Sequence, residues 1–526
     1  MFDGTGVPGR VVDLAMSGDR IVAVGNIDAI PGMTEIEARG MAVAPGFINT
    51  LSWATESLIQ DGRSQSDIRQ GVTLEVFGEG NSMGPLTEVM RADLLERQRD
   101  FRYAVPWTTL RQYLDHLAQR GVSPNVASFI GATTVRVSVI GHDDRRPNHA
   151  ELDVMRGLVD DAMRGGALGV ASSLIYAPAS FSDTEELVAL AEVAAAHGGM
   201  YASHMRSEGD HIADGASELI EIARRARLPA EIYHFKVAGR ANWPKLDSIV
   251  GSIEAARASG LLITADMYPY DAGSTGLQST MGPWVQEGGH RAWVDRLHLQ
   301  EVRQRVIYEM SRPGRGWENV YYLAGSPENV RIVAFKSPAL KPLTGKTLAE
   351  IAALRGTTPE ETAIDLVVED DSRVTAVYTM MDPTQVRRIA ALPWASFCSD
   401  QQSVAPEGSF LSSAVHPRAY GAFARVVGPF VRDDRVAPLE EIIRRLTSFP
   451  AGNLGIANRG RLAPGYCGRR RFRPGAHPGP CNVRPAPSIR HGHAPRLRER
   501  SARIAQRRAH RRDSGSRRAA GTWGLT

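Results

Sequence analysis

Apolar runs and polar breaks along the chain fall into two regimes. Between Asp3 and Gly25, Val11, Leu14, Ile21, Ala23 and Val24 mark brief runs separated by glycines, which predicts short strands joined by turns. From about Val43 the pattern changes to apolar strands alternating with amphipathic helices. The strands are predicted over 71–78, 166–171, 199–204, 230–235, 261–266 and 395–400. A helix over 184–196 is capped by Ser182 or Asp183 and stopped by Gly198-Gly199, and another runs over 247–258 before Gly260. Repeated strand–helix units predict an α/β fold, a parallel barrel with insertions.

These patterns divide the chain. Residues 1–43 form a small β unit, and 44–437 the barrel, with a Pro- and Gly-interrupted insertion near 289–333. Residues 438–466 supply a return helix, predicted over 439–446, and a linker. Beyond Tyr466 the periodicity collapses into an Arg- and Pro-rich tail over 467–526, which is expected to be disordered.

Composition changes the picture mainly at that tail. The formal charge is +4, yet residues 467–526 hold sixteen Arg, no Lys and only two acids, so they carry +14 and residues 1–466 carry −10. Arg-only basicity without hydrophobic period is what a GC-rich gene yields out of frame, and a frameshift after Gly465 or Tyr466 is the expectation. The rival reading is a nucleic-acid-binding arm. No run of apolar residues is long enough to span a membrane. Three cysteines, Cys398, Cys467 and Cys481, are too few for a disulfide framework, and no secretion signal opens the chain. Cytoplasmic localisation is therefore expected. Oligomeric state is not legible.

Candidate chemistry sits at strand ends, where side chains converge at one mouth of a parallel barrel. His204 closes Tyr201-Ala202-Ser203-His204, and His234 closes Ile232-Tyr233-His234. A single strand-end histidine is commonly structural; two on successive strands point to a metal. Ser399-Asp400 closes a later strand. Asp400 could take a proton from a metal-activated water, or could cap the segment that follows.

Several stretches resemble the N-acyl-D-amino-acid deacylase (D-aminoacylase) family of the amidohydrolase superfamily, over about residues 3–466. They include Pro45-Gly46-Phe47-Ile48, Gly71-Val72-Thr73, Leu174-Ile175-Tyr176-Ala177-Pro178, Ser203-His204-Met205-Arg206, Tyr268-Pro269-Tyr270 and His416-Pro417-Arg418. The resemblance implies a (β/α)8 TIM-like barrel with a small β-sandwich built from both chain ends. It also implies zinc (Zn2+) and hydrolysis of an amide bond. His204 and His234 take the positions of zinc ligands and Asp400 that of the general base and acid. Lys236, Tyr268, Ser274 and Arg418 match positions that hold the substrate carboxylate, a task suited to a Lys–Arg pair with hydroxyls.

Four departures from the family pattern matter. The first strand's His-x-His is Leu51-Ser52-Trp53, and neither Leu51 nor Trp53 can donate a lone pair to a metal. Asn49 stands where an aspartate is usual. The ligand cysteine after the second strand is missing, with Glu79 near its place as either a metal ligand or a loop acid. The family's Gly-His-x-x-x-Arg also reads Gly131-Ala132-Thr133-Thr134-Val135-Arg136.

Glu79, His204 and His234 would complete a three-ligand site for one zinc per chain. The function expected is hydrolysis of an N-acyl amino acid, of D configuration, by metal-activated water. A dihydroorotase- or hydantoinase-like cyclic amide hydrolase and an inactive ligand-binding homologue are the alternatives. The partner expected is the small-molecule substrate, with no membrane and no nucleic acid. Relatives carry a further strand ahead of Asp3 and further strands after Gly465, so the sandwich is expected to be incomplete.

Overall fold

The computed structural model describes residues 1–467 apart from 29–31 and 33. Asp13–Ser17 (β1) and Arg20–Gly25 (β2) form an antiparallel hairpin. The chain returns to it late. Leu462 N–H donates to the Asp3 carbonyl at 2.9 Å, Gly465 N–H to Ile21 at 2.9 Å, and Ile21 N–H to Tyr466 at 3.0 Å. This hairpin and its return segment are the part of the expected sandwich among the described residues. The tail, apart from Cys467, lies outside them.

The barrel is assembled in chain order. Phe47–Asn49 (β3), Val72–Phe77 (β4) and Asn125–Ser128 (β5) pair in parallel. After Phe129 the same extended segment continues as Ile130–Gly131 (β6) and opens a second parallel sheet. Gly169–Ser173 (β7), Met200–His204 (β8), Ala230–Ile232 (β9) and Ile263–Ala265 (β10) complete it. The last predicted strand is an extended segment joined to both ends. Ala395 bridges to Ala265 in β10, and Gln401 bridges to Ser52 just past β3. Counting β5 and β6 as one stave, eight staves close the ring.

Every residue of β4, β7 and β8 is buried, as expected of parallel strands covered on both faces. The helix Thr184–Ala196 starts where Asp183 Oδ1 accepts from Glu186 N–H at 2.9 Å, so Asp183 and not Ser182 is the cap.

The irregular stretch 289–333 is the middle of a larger unit. Ala272–Gly276 (β11), Val330–Ala334 (β12) and Thr375–Thr379 (β13) form an antiparallel sheet in the order β11-β13-β12. Helices including Gln300–Met310 and Pro359–Asp370 pack on it around a separate core that contains Trp293, Ile332, Ile364 and Tyr378. Its strands and helices share the periodicity of the barrel's own units, so only its Pro- and Gly-broken centre stood out in the sequence.

Candidate active site

The ends of β4, β8 and β9 bring three buried side chains together. Glu79 Oε1 lies 3.0 Å from His204 Nδ1 and 3.0 Å from His234 Nε2. Their ligand atoms all lie within 4.8 Å of one another. Glu79 reaches this position because glycine flanks it on both sides. Gly78 has φ +113° and Gly80 φ +64°, and a Cβ on Gly80 would stand 2.0 Å from Ser173 Oγ. His234 itself is left-handed, at φ +36°, and its N–H donates to Asp266 Oδ1 at 2.5 Å. Asp266 in turn accepts from Thr50 Oγ1 at 2.7 Å, so the end of β10 fixes the backbone of His234.

Glu208 joins the two histidines from behind. Its Oε1 is 3.0 Å from His234 Nδ1, and its Oε2 is 3.4 Å from His204 Nε2. A carboxylate beside the far nitrogen of a histidine raises its basicity as a ligand; here Lys236 Nζ also lies 2.7 Å from His234 Nδ1, and His204 Nε2 has no hydrogen-bond partner. The Glu208 backbone N–H and Ser207 Oγ both donate to Glu318 Oε2, at 2.6 and 2.7 Å, which ties this turn to the insertion. Glu208 is the residue that sequence reasoning missed. Its signal was present as an acid four positions after His204.

Electrostatics follow from this packing. Burial pushes the Glu79 carboxyl upward, but His234 and His204 outweigh it and hold the group below its ordinary range. Burial and Lys236 oppose a charge on His234, whereas Glu208 and Glu79 favour it, and the balance raises its pKa to about 10. A cation is therefore welcome between these groups. Two imidazoles and a carboxylate are a donor set that suits zinc, with an outer carboxylate already in place.

Asp400 stands opposite, at the end of the closing segment, with φ +45° and its N–H bonded to the Leu51 carbonyl at 2.9 Å. Its Oδ2 is 2.8 Å from Arg418 Nη1. Burial raises its pKa, partly offset by Arg418 and His234. Trp53 fills the space between the acids. The indole N–H lies 3.1 Å from Glu79 Oε2 and 3.1 Å from Asp400 Oδ1. Leu51 is buried in the barrel core. Asn49 is not beside the histidines: its amide donates to Asp67 Oδ1 at 3.0 Å and Ser399 Oγ at 2.8 Å.

The remaining candidates line the same cavity, of about 650 Å3. The Tyr268 ring has two cations near it, with Arg418 Cζ 4.3 Å and Lys236 Nζ 5.6 Å from its centre. Lys236 is paired with Glu208 at 2.5 Å. Arg418 Nε is buried with no hydrogen-bond partner. Ser274 lines the cavity, but its hydroxyl donates to the Ala376 carbonyl at 3.1 Å. Thus all eight predicted residues meet in one cavity, and Ser274 has its donor already engaged.

The chain is 32% identical over 470 residues to the D-aminoacylase of Alcaligenes xylosoxydans xylosoxydans, covering 89% of this chain and 84% of that protein. It belongs to the D-aminoacylase family of amidohydrolases. No family model matches the chain.

Two solved structures of D-aminoacylase-family proteins superpose well, each covering 89% of this chain and 87% of the other. One is a D-aminoacylase (TM-score 0.71, 31% identity) whose binuclear metal centre is described by one-metal activation and second-metal attenuation. The other is the N-acyl-D-glutamate deacylase of Bordetella bronchiseptica (TM-score 0.71, 27% identity), complexed with zinc and a phosphonate mimic of the tetrahedral intermediate. Two groups of side chains among the described residues could hold a metal ion: Glu79 with His204 and His234, and His204 with Glu208 and Glu318. No helix among the described residues is long and apolar enough to cross a membrane.

Proposed function

We propose that this chain is a zinc-dependent deacylase that hydrolyses the amide bond of an N-acyl-D-amino acid with a single metal ion. The observation that carries this reading is the convergence of Glu79 Oε1 on His204 Nδ1 and His234 Nε2, each at 3.0 Å, at the mouth of a family barrel. A relative whose centre is described by one-metal activation supports a mononuclear variant. Bound there by Glu79, His204 and His234, zinc would polarise the acyl carbonyl and acidify water.

The protein's own groups do the rest. Asp400 faces the histidines and takes the proton of the attacking water as oxygen bonds to the acyl carbon. It returns that proton to nitrogen as the C–N bond breaks, releasing a carboxylic acid and an amine, which exchange a proton to leave as carboxylate and ammonium. Burial lifts Asp400 and Arg418 restrains it, which suits a group that must both accept and release a proton. Arg418 and Lys236, both beside the Tyr268 ring, dock the α-carboxylate, with the unbonded Arg418 Nε as a free donor.

Zinc-loaded protein incubated with N-acetyl-D- and N-acetyl-L-amino acids tests this reading. Release of free D-amino acid is expected, reduced about 10²- to 10⁴-fold in Asp400→Asn. Absence of hydrolysis across the panel, or Asp400→Asn retaining full activity, would sink it.

A further inference from the structure

The turn that carries Glu208 is held from outside the barrel strands, by the insertion. Three donors from Ser207-Glu208-Gly209 converge on one buried carboxylate oxygen. Glu318 Oε2 accepts from the Glu208 N–H at 2.6 Å, the Ser207 hydroxyl at 2.7 Å and the Gly209 N–H at 2.9 Å. Leu323, in the helix Val320–Ala324 that follows, presses on the same place. A Cβ on Gly209 would stand 2.8 Å from Leu323 Cδ1, and one on Gly239, just past His234 and Lys236, 2.7 Å from Leu323 Cδ2. This stretch is itself anchored. Asn319 Oδ1 caps the helix by accepting from Tyr322 N–H at 3.1 Å. Its amide donates to the Met310 and Arg312 carbonyls, at 2.9 and 2.8 Å, where the helix Gln300–Met310 ends. The hold on Glu208 therefore runs back into the insertion's own core.

What the turn delivers is the Glu208 carboxylate. Its Oε1 serves His234 Nδ1 at 3.0 Å and Lys236 Nζ at 2.5 Å together. Its Oε2 faces His204 Nε2 at 3.4 Å, a nitrogen without a hydrogen-bond partner. One side chain thus reaches the far nitrogen of both histidines whose near nitrogens face Glu79. At 3.4 Å the second contact stands at the edge of hydrogen-bond range, so a slight shift of the turn decides whether it holds. Carboxylates behind metal-binding histidines set ring orientation and ligand basicity, and an error in placing Glu208 would pass to both rings at once. Ligand oxygens of Glu208 and Glu318 also lie within 4.8 Å of each other. Two buried acids that close repel, and the three donors together with Lys236 hold them there.

We propose that Glu318 is a positioning residue for the metal centre: it fixes Glu208 behind His204 and His234, and through Glu208 it sets how tightly zinc is held. The insertion is then part of the metal site as well as a wall of the cavity. This rests on the zinc site of the deacylase reading, but it is read out in metal affinity and not in hydrolysis.

Zinc affinity of the full chain, by competition with a chromophoric chelator, decides it. Glu318→Met removes the acceptor and is expected to weaken zinc about 10- to 100-fold. Glu318→Gln loses the same charge but keeps an acceptor, and should stay within about threefold of the wild type, which separates placement from charge. Because Glu318→Met leaves buried donors unpaired, its effect is measured again on Glu208→Met. A general loss of fold weakens zinc by the same factor in both backgrounds. A residue that acts through Glu208 costs less than about twofold once Glu208 is gone. Glu318→Met within about threefold of the wild type, Glu318→Gln as weak as Glu318→Met, or equal losses in both backgrounds overturns the inference. So does a second zinc that Glu318→Met alone removes, since His204, Glu208 and Glu318 would then be a cation site. Tight, Glu318-dependent zinc without hydrolysis of any N-acyl-D-amino acid would leave the positioning role standing and overturn the deacylase reading instead.

Discussion

At the scale of single residues, Trp53 bridges two acids at the mouth of the barrel. The Trp53 indole shares one N–H between Glu79 Oε2 and Asp400 Oδ1, both at 3.1 Å. It therefore restrains the Glu79 carboxylate while keeping two acids apart. Outer partners of this kind set how firmly a ligand holds its metal. Trp53→Phe, which keeps the ring and removes the donor, is expected to weaken zinc binding about 10- to 100-fold in competition with a chromophoric chelator. An affinity unchanged within about twofold would show that the contact is incidental. In the sequence, Leu51 and Trp53 were legible only as residues unable to bind metal. That the indole could donate across the barrel depends on Asp400 lying near it after 347 positions of chain, which no local pattern encodes. His204 and His234 were legible because each ends an apolar run. Glu208 was not, because a turn acid has no period.

At the scale of elements, the stretch 131–136 forms the start of the helix Ala132–Ile140. Arg136 on that helix makes a 2.5 Å ion pair with Glu186 on the helix Thr184–Ala196, with both side chains almost fully buried. It also donates to the Asp143 and Arg145 carbonyls. The pair therefore ties two barrel helices and a loop together. Arg136→Met strands the buried Glu186 charge and is expected to cost about 3–5 kcal/mol in urea unfolding. Adding Glu186→Leu removes the stranded charge and should recover most of that loss. A double variant as unstable as the single one would contradict this account. Strand ends came through in the sequence to within a few residues, as at β4 and β8, because burial on both faces leaves continuous apolar runs. The insertion's extent did not, since its strands look like any others until their antiparallel pairing is seen.

At the scale of the whole molecule, the barrel closes through a polar network as well as through strand pairing. Glu75 on β4 accepts from Ser64 Oγ at 2.6 Å and Ser52 Oγ at 2.8 Å, while Asn49 links Asp67 to Ser399 on the closing segment. Burial, reinforced by Asp67, raises the Glu75 carboxyl to about 8. The folded state thus keeps a proton that the unfolded chain releases above its ordinary 4.5. This contribution to stability is complete below that value and is lost as pH rises toward 8. Unfolding midpoints measured across that window should fall with pH, and Glu75→Gln should flatten the slope. A wild-type slope unchanged in Glu75→Gln would place the titration elsewhere.

Closure of the same ring gathers Glu79, His204 and His234 from three staves into one donor set, and on that set the proposed chemistry depends. Metal content measures it directly. Full-length protein loaded with excess zinc, desalted and analysed by mass spectrometry for metal is expected to hold one zinc per chain. His234→Ala, with its fold verified by circular dichroism, should hold almost none. Two zinc ions per wild-type chain, none at all, or undiminished zinc in His234→Ala would contradict a mononuclear centre built on these three residues.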